Sequence, residues 1–543
     1  MNSSVPIADS IRESLSIISL TPGSIVLYTA LAVVLPLVYT FATTSLNAGK
    51  PTKDGEPPMP PYWIPFVGHA FSLMGSLDKL HGGYRKVDGR LGKPRTLVVF
   101  GQKIYFITDP ASILLMWRKG KTVVFEPMIE FVMKNLFGAP DSCVKVLSVG
   151  QPGIDQRGLE GQIEWTKIVH KWYLQELNLG TPGLESLTRE FIRELNLELE
   201  KHIGNEFEQI DLFAWVKKIM FPVSGRALYG HRLRIDDEFA RNFWKWDSGF
   251  LELSKVFPDF LIPGVRAARA KVLDEFVRWR LEVQDLAESI DEDVSWEENI
   301  GARLIRNRVK LNRQVFAEDD HIAHASIHMS LFWGLEANAI PATCWLIAYV
   351  LFTPGLLERL KAEVMSCAED PVKGSSLPTF NIDKLTKLTL LNAVWQEALR
   401  LGVSSLSPRV VIEDTEIDGY MYKKGGMIQG LSPLVQMEEE YWGKDVNEFK
   451  PDRWLPYPGE DSTAATKRIR ESQSKLRPFG GGTTVCPGRH FAAQEILAMV
   501  AVLITSFEWD TIGGKVPEIN RDFFGAGGLP AKDDVKVKLR RRA

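Results

Sequence analysis

The sequence predicts a mainly α-helical chain with small β-sheets and an N-terminal transmembrane anchor. Three observations carry this reading. From Asp109-Pro110 to about residue 380 the apolar residues recur mostly at helical spacing. Strand patterns are short: residues 96–100 and 104–108 flank Gly101-Gln102-Lys103 as a hairpin, and more short strands follow Ser407-Pro-Arg409 towards a turn near Lys424-Gly-Gly426. No charged residue lies between Glu13 and Lys50.

Within that charge-free window, residues 25–41 are almost continuously apolar. As a helix they span about 26 Å, enough for the hydrocarbon core of a bilayer. Pro36 lies inside, which membrane helices tolerate. Little positive charge precedes the stretch, so it reads as a retained anchor and not as a cleaved signal. Lys50 and Lys53 follow it, whereas Asp9, Arg12 and Glu13 precede it, which places the main body in the cytosol. The expected organisation is an N-terminal tail (1–24), a transmembrane anchor (25–45), a hinge (46–69) and one large domain (70–543). The hinge contains Pro57-Pro-Met-Pro-Pro61 and Pro65, a density that excludes helix and gives a stiff, extended lead.

Composition excludes several classes. The chain has 543 residues, 24% of them charged, and a net charge of −3. No basic stripe marks a nucleic-acid binder. The four cysteines, Cys143, Cys344, Cys367 and Cys486, form no CxxC pair, so neither a disulfide framework nor a zinc site is indicated. The first three read as packing residues. No repeat of solenoid length is present.

In the helical body, residues 125–137 form an apolar stretch of mixed loop and helix. Residues 164–177 form a helix carrying Lys167, His170 and Lys171, read as a solvated face. The apolar loop 257–264 joins two helical segments and reads either as a membrane or substrate-entrance contact or as a buried crossover. The basic run from Arg303 to Arg313 reads as a solvated helix face. From His328 to Leu351 a long apolar helix carries a few polar groups, and Pro341 should bend or loosen it.

The stretch with most chemistry runs from Arg477 through Phe479-Gly-Gly-Gly-Thr-Thr-Val-Cys486-Pro-Gly to Ala492. Gly480, Gly481 and Gly482 permit a tight loop. Pro487 suits the first position of the apolar helix behind the cysteine. The free N–H groups of that helix then point at the sulfur and favour a thiolate.

Phe479, the glycines, Cys486, Gly488 and Ala492 resemble the haem-ligand signature of the cytochrome P450 family. Trp395-Gln-Glu397-Ala-Leu-Arg400 is similar to the family's Glu-x-x-Arg helix, and Phe449-Lys-Pro451-Asp-Arg453-Trp454 resembles its second arginine motif. The resemblance covers nearly the whole chain in family order. It implies the P450 fold and haem with Cys486 as the axial thiolate on iron. Phe479 would pack on the thiolate side, within the loop that includes Gly480 and Gly488. Arg409 would pair with a haem propionate, and Glu397, Arg400 and Arg453 would brace the cysteine loop. The family's basic residue two before the cysteine is Thr484 here, which leaves the second propionate without an assigned partner.

The helix over the iron usually carries a small residue, a spacer, an acid and a threonine. Here these positions are Gly334, Leu335-Glu336, Ala337 and Asn338. The pattern resembles the branch of sterol 7α- and 12α-hydroxylases and prostacyclin synthase. Asn338 can hold water by hydrogen bonds; a satisfied core amide is its plainer role. Glu336 is one residue off the acid position, about 100° around the helix. The resemblance implies a monooxygenase of the endoplasmic reticulum membrane, single-pass with a cytosolic catalytic domain. Its expected partners are O2, electrons from NADPH-cytochrome P450 reductase, membrane lipid and a hydrophobic small-molecule substrate of sterol, steroid or terpenoid type. The alternative is a redox-neutral isomerase or dehydratase.

Overall fold

The computed structural model describes residues 22–73, 93–202, 204–254, 262–523 and 526–542. Helix α1 (Pro22–Leu46) carries no charge, runs through Pro36 and buries no residue. A helix apolar all round and uncovered by protein is suited to lipid. Its described start, Pro22, lies three residues before the expected 25.

The hinge is more than a spacer. Trp63 stacks on Phe41 of α1 at 3.9 Å. Glu56 is buried and accepts from Lys103 Nζ at 2.7 Å and Tyr105 Oη at 2.5 Å. The Val98 N–H donates to His69 Nδ1 at 3.0 Å, which leaves Nε2 to donate to the Pro60 carbonyl at 3.1 Å. Burial lowers the His69 pKa, in keeping with that neutral ring.

The predicted hairpin is β1 (Arg95–Val99) and β2 (Gln102–Ile107), with its turn at Phe100 and Gly101, both at positive φ. Helix α2 (Pro110–Arg118) follows, capped by Asp109, whose carboxylate accepts the Ser112 N–H at 2.7 Å. A five-stranded sheet has the order β1-β2-β5-β4-β3, with β3 (Val123–Val124), β4 (Ser407–Val411) and β5 (Met427–Gly430). Arg409 pairs with Ile428 across this sheet, and the alternation of β4 buries Ser407, Arg409 and Val411.

The core is helical. Helix α8 (His321–Phe352) crosses the molecule and packs against α5 (Leu212–Tyr229), α9 (Thr389–Gly402) and α10 (Arg489–Ser506). Helix α4 (Pro182–His202) packs on α5 and α10. Both α8 and α10 are apolar on nearly every face, as helices enclosed by protein must be. Length and composition would let α8 cross a membrane, but 78% of its apolar window is buried inside the protein. It continues as helix through Pro341.

Two expectations are revised. Helix α3 (Trp165–Glu176) exposes Lys167, His170 and Lys171 as expected, but the basic run on α7 (Arg303–Val315) is not a solvated face throughout. Arg306 and Arg308 are 0% and 2% exposed. Their long side chains reach inward to protein oxygens: Arg306 donates to the Asp291 and Val294 carbonyls, and Arg308 to the Ile327 carbonyl and the Tyr173 hydroxyl. Charge pattern alone misses this, because carbonyls buried by tertiary packing supply the partners. Within the apolar loop 257–264, residues 257–261 lie outside the described residues, and α6 (Pro263–Ser289) begins at its end.

Candidate active site

The cysteine loop folds under α2. Gly480 and Gly482 adopt φ of 69° and 67°, the left-handed region that glycine enters freely. Gly481 is extended, but a Cβ there would overlap the Trp117 ring. Trp117 is itself fixed by its Nε1 hydrogen bond to Ser407 Oγ at 3.0 Å. The Cys486 N–H donates to the Phe479 carbonyl at 3.0 Å, closing the loop. Helix α10 starts at Arg489, two residues later than expected, with Gly488 as its N-cap. Cys486, Pro487 and Gly488 instead form the turn ahead of the helix. Burial pushes the Cys486 thiol up; the N–H groups of Gly488 and Arg489 and the Arg489 charge pull it back down.

Cys486 opens on a cavity of about 620 Å³. Its floor includes Phe479, Gly480 and Gly488, its roof Gly334 and Asn338 of α8, and its flank Arg409. Phe125, Ile129 and Met133 also line it, so the apolar stretch 125–137 forms part of the wall. The Asn338 Oδ1 accepts the Gly528 N–H at 3.0 Å, which leaves its NH2 as the donor end. A Cβ on Gly527 would overlap that oxygen, so the strand beside the roof needs glycine.

Arg409 is 5% exposed, and among the described residues no carboxylate lies within ion-pair distance of it. Its guanidinium donates to Pro408 O at 2.7 Å, Gly481 O at 3.3 Å and Thr484 Oγ1. Burial lowers its pKa to about 10. Glu126 attracts it only from beyond hydrogen-bonding distance, and a buried cation on a cavity wall with no acid bonded to it suits an anionic edge of a ligand. Among the described residues no three His, Cys, Asp or Glu side chains gather to chelate a metal, so Cys486 offers one ligand and not a set. One thiolate, one flanking arginine and a cavity of this size fit a haem with its propionate towards Arg409.

Behind the loop, Glu397 and Arg400 of α9 are 0% and 1% exposed and form a two-pronged pair, with Nη2–Oε1 at 2.7 Å and Nε–Oε2 at 2.9 Å. Arg453 joins Glu397 Oε1 at 3.2 Å. Arg400 and Arg453 then hold the carbonyls of Gln436, Val446, Trp442 and Asp445. Trp454 Nε1 adds a donor to Glu397 Oε2 at 3.0 Å, a partner the motif spacing did not reveal.

Glu336, a candidate catalytic residue on the sequence, takes a position of its own. It is fully buried but is not part of the cavity wall; it turns towards α10. Three residues at the site escaped the sequence reading. Trp117 carries no signal in its local pattern. Arg308 lines the cavity but sits in what reads as a surface run. Glu495 also lines it, and a lone acid in the apolar run of α10 was a usable signal.

The family model for cytochrome P450 matches residues 57–537. The chain is 26% identical to cytochrome P450 monooxygenase efuG of Hormonema carpetanum, over 94% of this chain and 96% of that protein. It is 26% identical to cytochrome P450 7A1 of Oryctolagus cuniculus (90% and 93%) and 25% identical to cholesterol 7-alpha-monooxygenase of Cricetulus griseus (90% and 94%). Among solved structures, the cytochrome P450DA haem domain superposes with a TM-score of 0.63 at 16% identity, over 90% of this chain and 98% of that one. The chain belongs to the cytochrome P450 family and is a haem-thiolate monooxygenase.

Proposed function

We propose that this chain hydroxylates a large, rigid, apolar molecule of sterol, steroid or terpenoid type. The observation that carries the reading is the single cavity on which Cys486, Arg409 and Asn338 converge. Cys486 would supply the thiolate to a bound haem, Arg409 would pair with a propionate, and Phe479, Gly480 and Gly488 would shape the loop on the thiolate side. Bound haem supplies the activation of O2 and the insertion of one oxygen atom into an unreactive C–H bond. Gly334 leaves room above it. The Asn338 NH2, left free by the bond to Gly528, would donate to water in the cavity and orient it. The apolar wall at Phe125, Ile129 and Met133 receives the substrate and excludes bulk water. Two electrons from NADPH-cytochrome P450 reductase and two protons complete the balance: the substrate gains one oxygen atom and the other leaves as water.

Residues 25–45 anchor the chain once in the endoplasmic reticulum membrane, residues 46–69 set its pose, and residues 70–543 form the cytosolic catalytic domain. The apolar helix Pro22–Leu46 and the similarity to cholesterol 7-alpha-monooxygenase support this. Comparison of metabolites from cells with and without the chain identifies the substrate; a product gaining one oxygen only when reductase and O2 are present is the expected result. A redox-neutral isomerase or dehydratase is the second reading, favoured by Ala337 and Asn338 in place of an acid and a hydroxyl. Product formed equally well without O2 and reductase would establish it.

A further inference from the structure

Two carboxyls unused above lie near each other, Glu495 on the cavity wall and Glu336 behind it. Glu336 on α8 and Glu495 on α10 are 0% and 1% exposed. Both oxygens of Glu336 and Oε1 of Glu495 lack a hydrogen-bond partner, while Glu495 Oε2 accepts the Ser224 hydroxyl of α5 at 2.9 Å. Three packed helices therefore converge on one polar spot in an apolar core. Burial pushes Glu495 up to about 8 and Glu336 well above its ordinary value, with Glu495 adding to the latter. Burial thus favours the neutral acid at both positions. Their one hydrogen-bonding neighbour among the described residues, the Ser224 hydroxyl, does not titrate in this range. Unfilled buried oxygens of this kind are ordinarily satisfied by internal water. Glu495 reaches the cavity wall. Glu336 lies behind it, about 200° around α8 from Asn338, and its neighbour Ala337 carries no acid.

We propose that Glu336 and Glu495, with water between them, store protons and feed them to the cavity in place of the acid that Ala337 lacks. The O–H of Glu495 breaks as its proton passes to cavity water, and the proton of Glu336 replaces it. Two acids hold two protons, the number that reduction of one O2 to water plus inserted oxygen consumes with two electrons. Water entering between turnovers refills the pair. The inference rests on the monooxygenase activity of the chain.

The test uses the purified holoprotein with reductase and no added organic substrate. Infrared spectroscopy of the resting protein at neutral pH should show carboxylic C=O bands that shift in D2O, one lost in Glu336→Gln and one in Glu495→Gln. Glutamine replaces a neutral acid with a neutral amide of the same shape, and an unchanged carbon monoxide spectrum confirms an intact haem pocket. In these variants the NADPH oxidation that ends in water, which without substrate takes four electrons and four protons per O2 and so draws on the pair twice, should slow by about tenfold or more, as expected for loss of a positioned acid, with more hydrogen peroxide released and a larger solvent isotope effect. Absence of the bands in the parent protein overturns the proposal without any variant. So do folded variants that form water as fast as the parent. Bands present in a parent whose metabolite product forms equally well without O2 and reductase would instead overturn the monooxygenase reading.

Discussion

Cys486 sits where two effects oppose each other: burial raises the thiol, and the turn at Gly488 and Arg489 lowers it. Bound iron would decide the balance, because a metal-ligating thiol is deprotonated. Cys486→Ser should abolish the red-shifted carbon monoxide Soret band of the ferrous protein; a variant that keeps the band would show that another residue is the ligand. Gly481 has a different constraint. Its Cβ would meet Trp117, which Ser407 holds in place. Gly481→Ala should cost about 1–3 kcal/mol by overpacking, read as a lower midpoint in chemical denaturation. Glu495 predicts a pH dependence. Its folded pKa, about 8, is raised above the ordinary carboxyl value. Its contribution is therefore fully present below the ordinary value and is lost as pH rises towards 8, at about 1.4 kcal/mol per pH unit. Denaturation measured at several pH values should show this slope in the parent and a flatter profile in Glu495→Gln.

At the scale of elements, the brace behind the cysteine loop ties α9 to the segment before it. Glu397 receives donors from Arg400, Lys450, Arg453 and Trp454. Glu397→Ala would leave two buried guanidinium groups short of an acceptor, at a cost of about 3–5 kcal/mol; haem retention during gel filtration and the thermal midpoint should both fall. The Glu-x-x-Arg spacing made this cluster legible, since i and i+3 share a helix face. The same spacing logic failed on α7. There Arg306 and Arg308 look solvated in sequence, but their partners are backbone oxygens of the segments flanking α7 and the Tyr173 hydroxyl of α3, 135 residues away. On α8, the position of Asn338 was legible, but its bond to Gly528, 190 residues away, was not.

For the whole molecule, the apolar α1 and the hinge pinned to the β1–β2 hairpin make one lead into the body. The full chain should resist alkaline extraction from membranes, and a variant lacking residues 1–46 should be released; retention of that variant after extraction would show that α1 is not the anchor. By itself the sequence determined the helical class, the apolar N-terminal helix, the hinge and the order of the haem-loop and arginine motifs. These features are local: periodicity, proline density, glycine runs and short spacings need no distant partner. Only the tertiary structure decided what meets what. It put Trp117 against the glycine loop, turned Arg308 inward, set Asn338 against Gly528 and brought the lone acids of α8 and α10 together. Each of those contacts depends on how helices and strands far apart in sequence pack, and burial then sets the charge state of the groups they enclose.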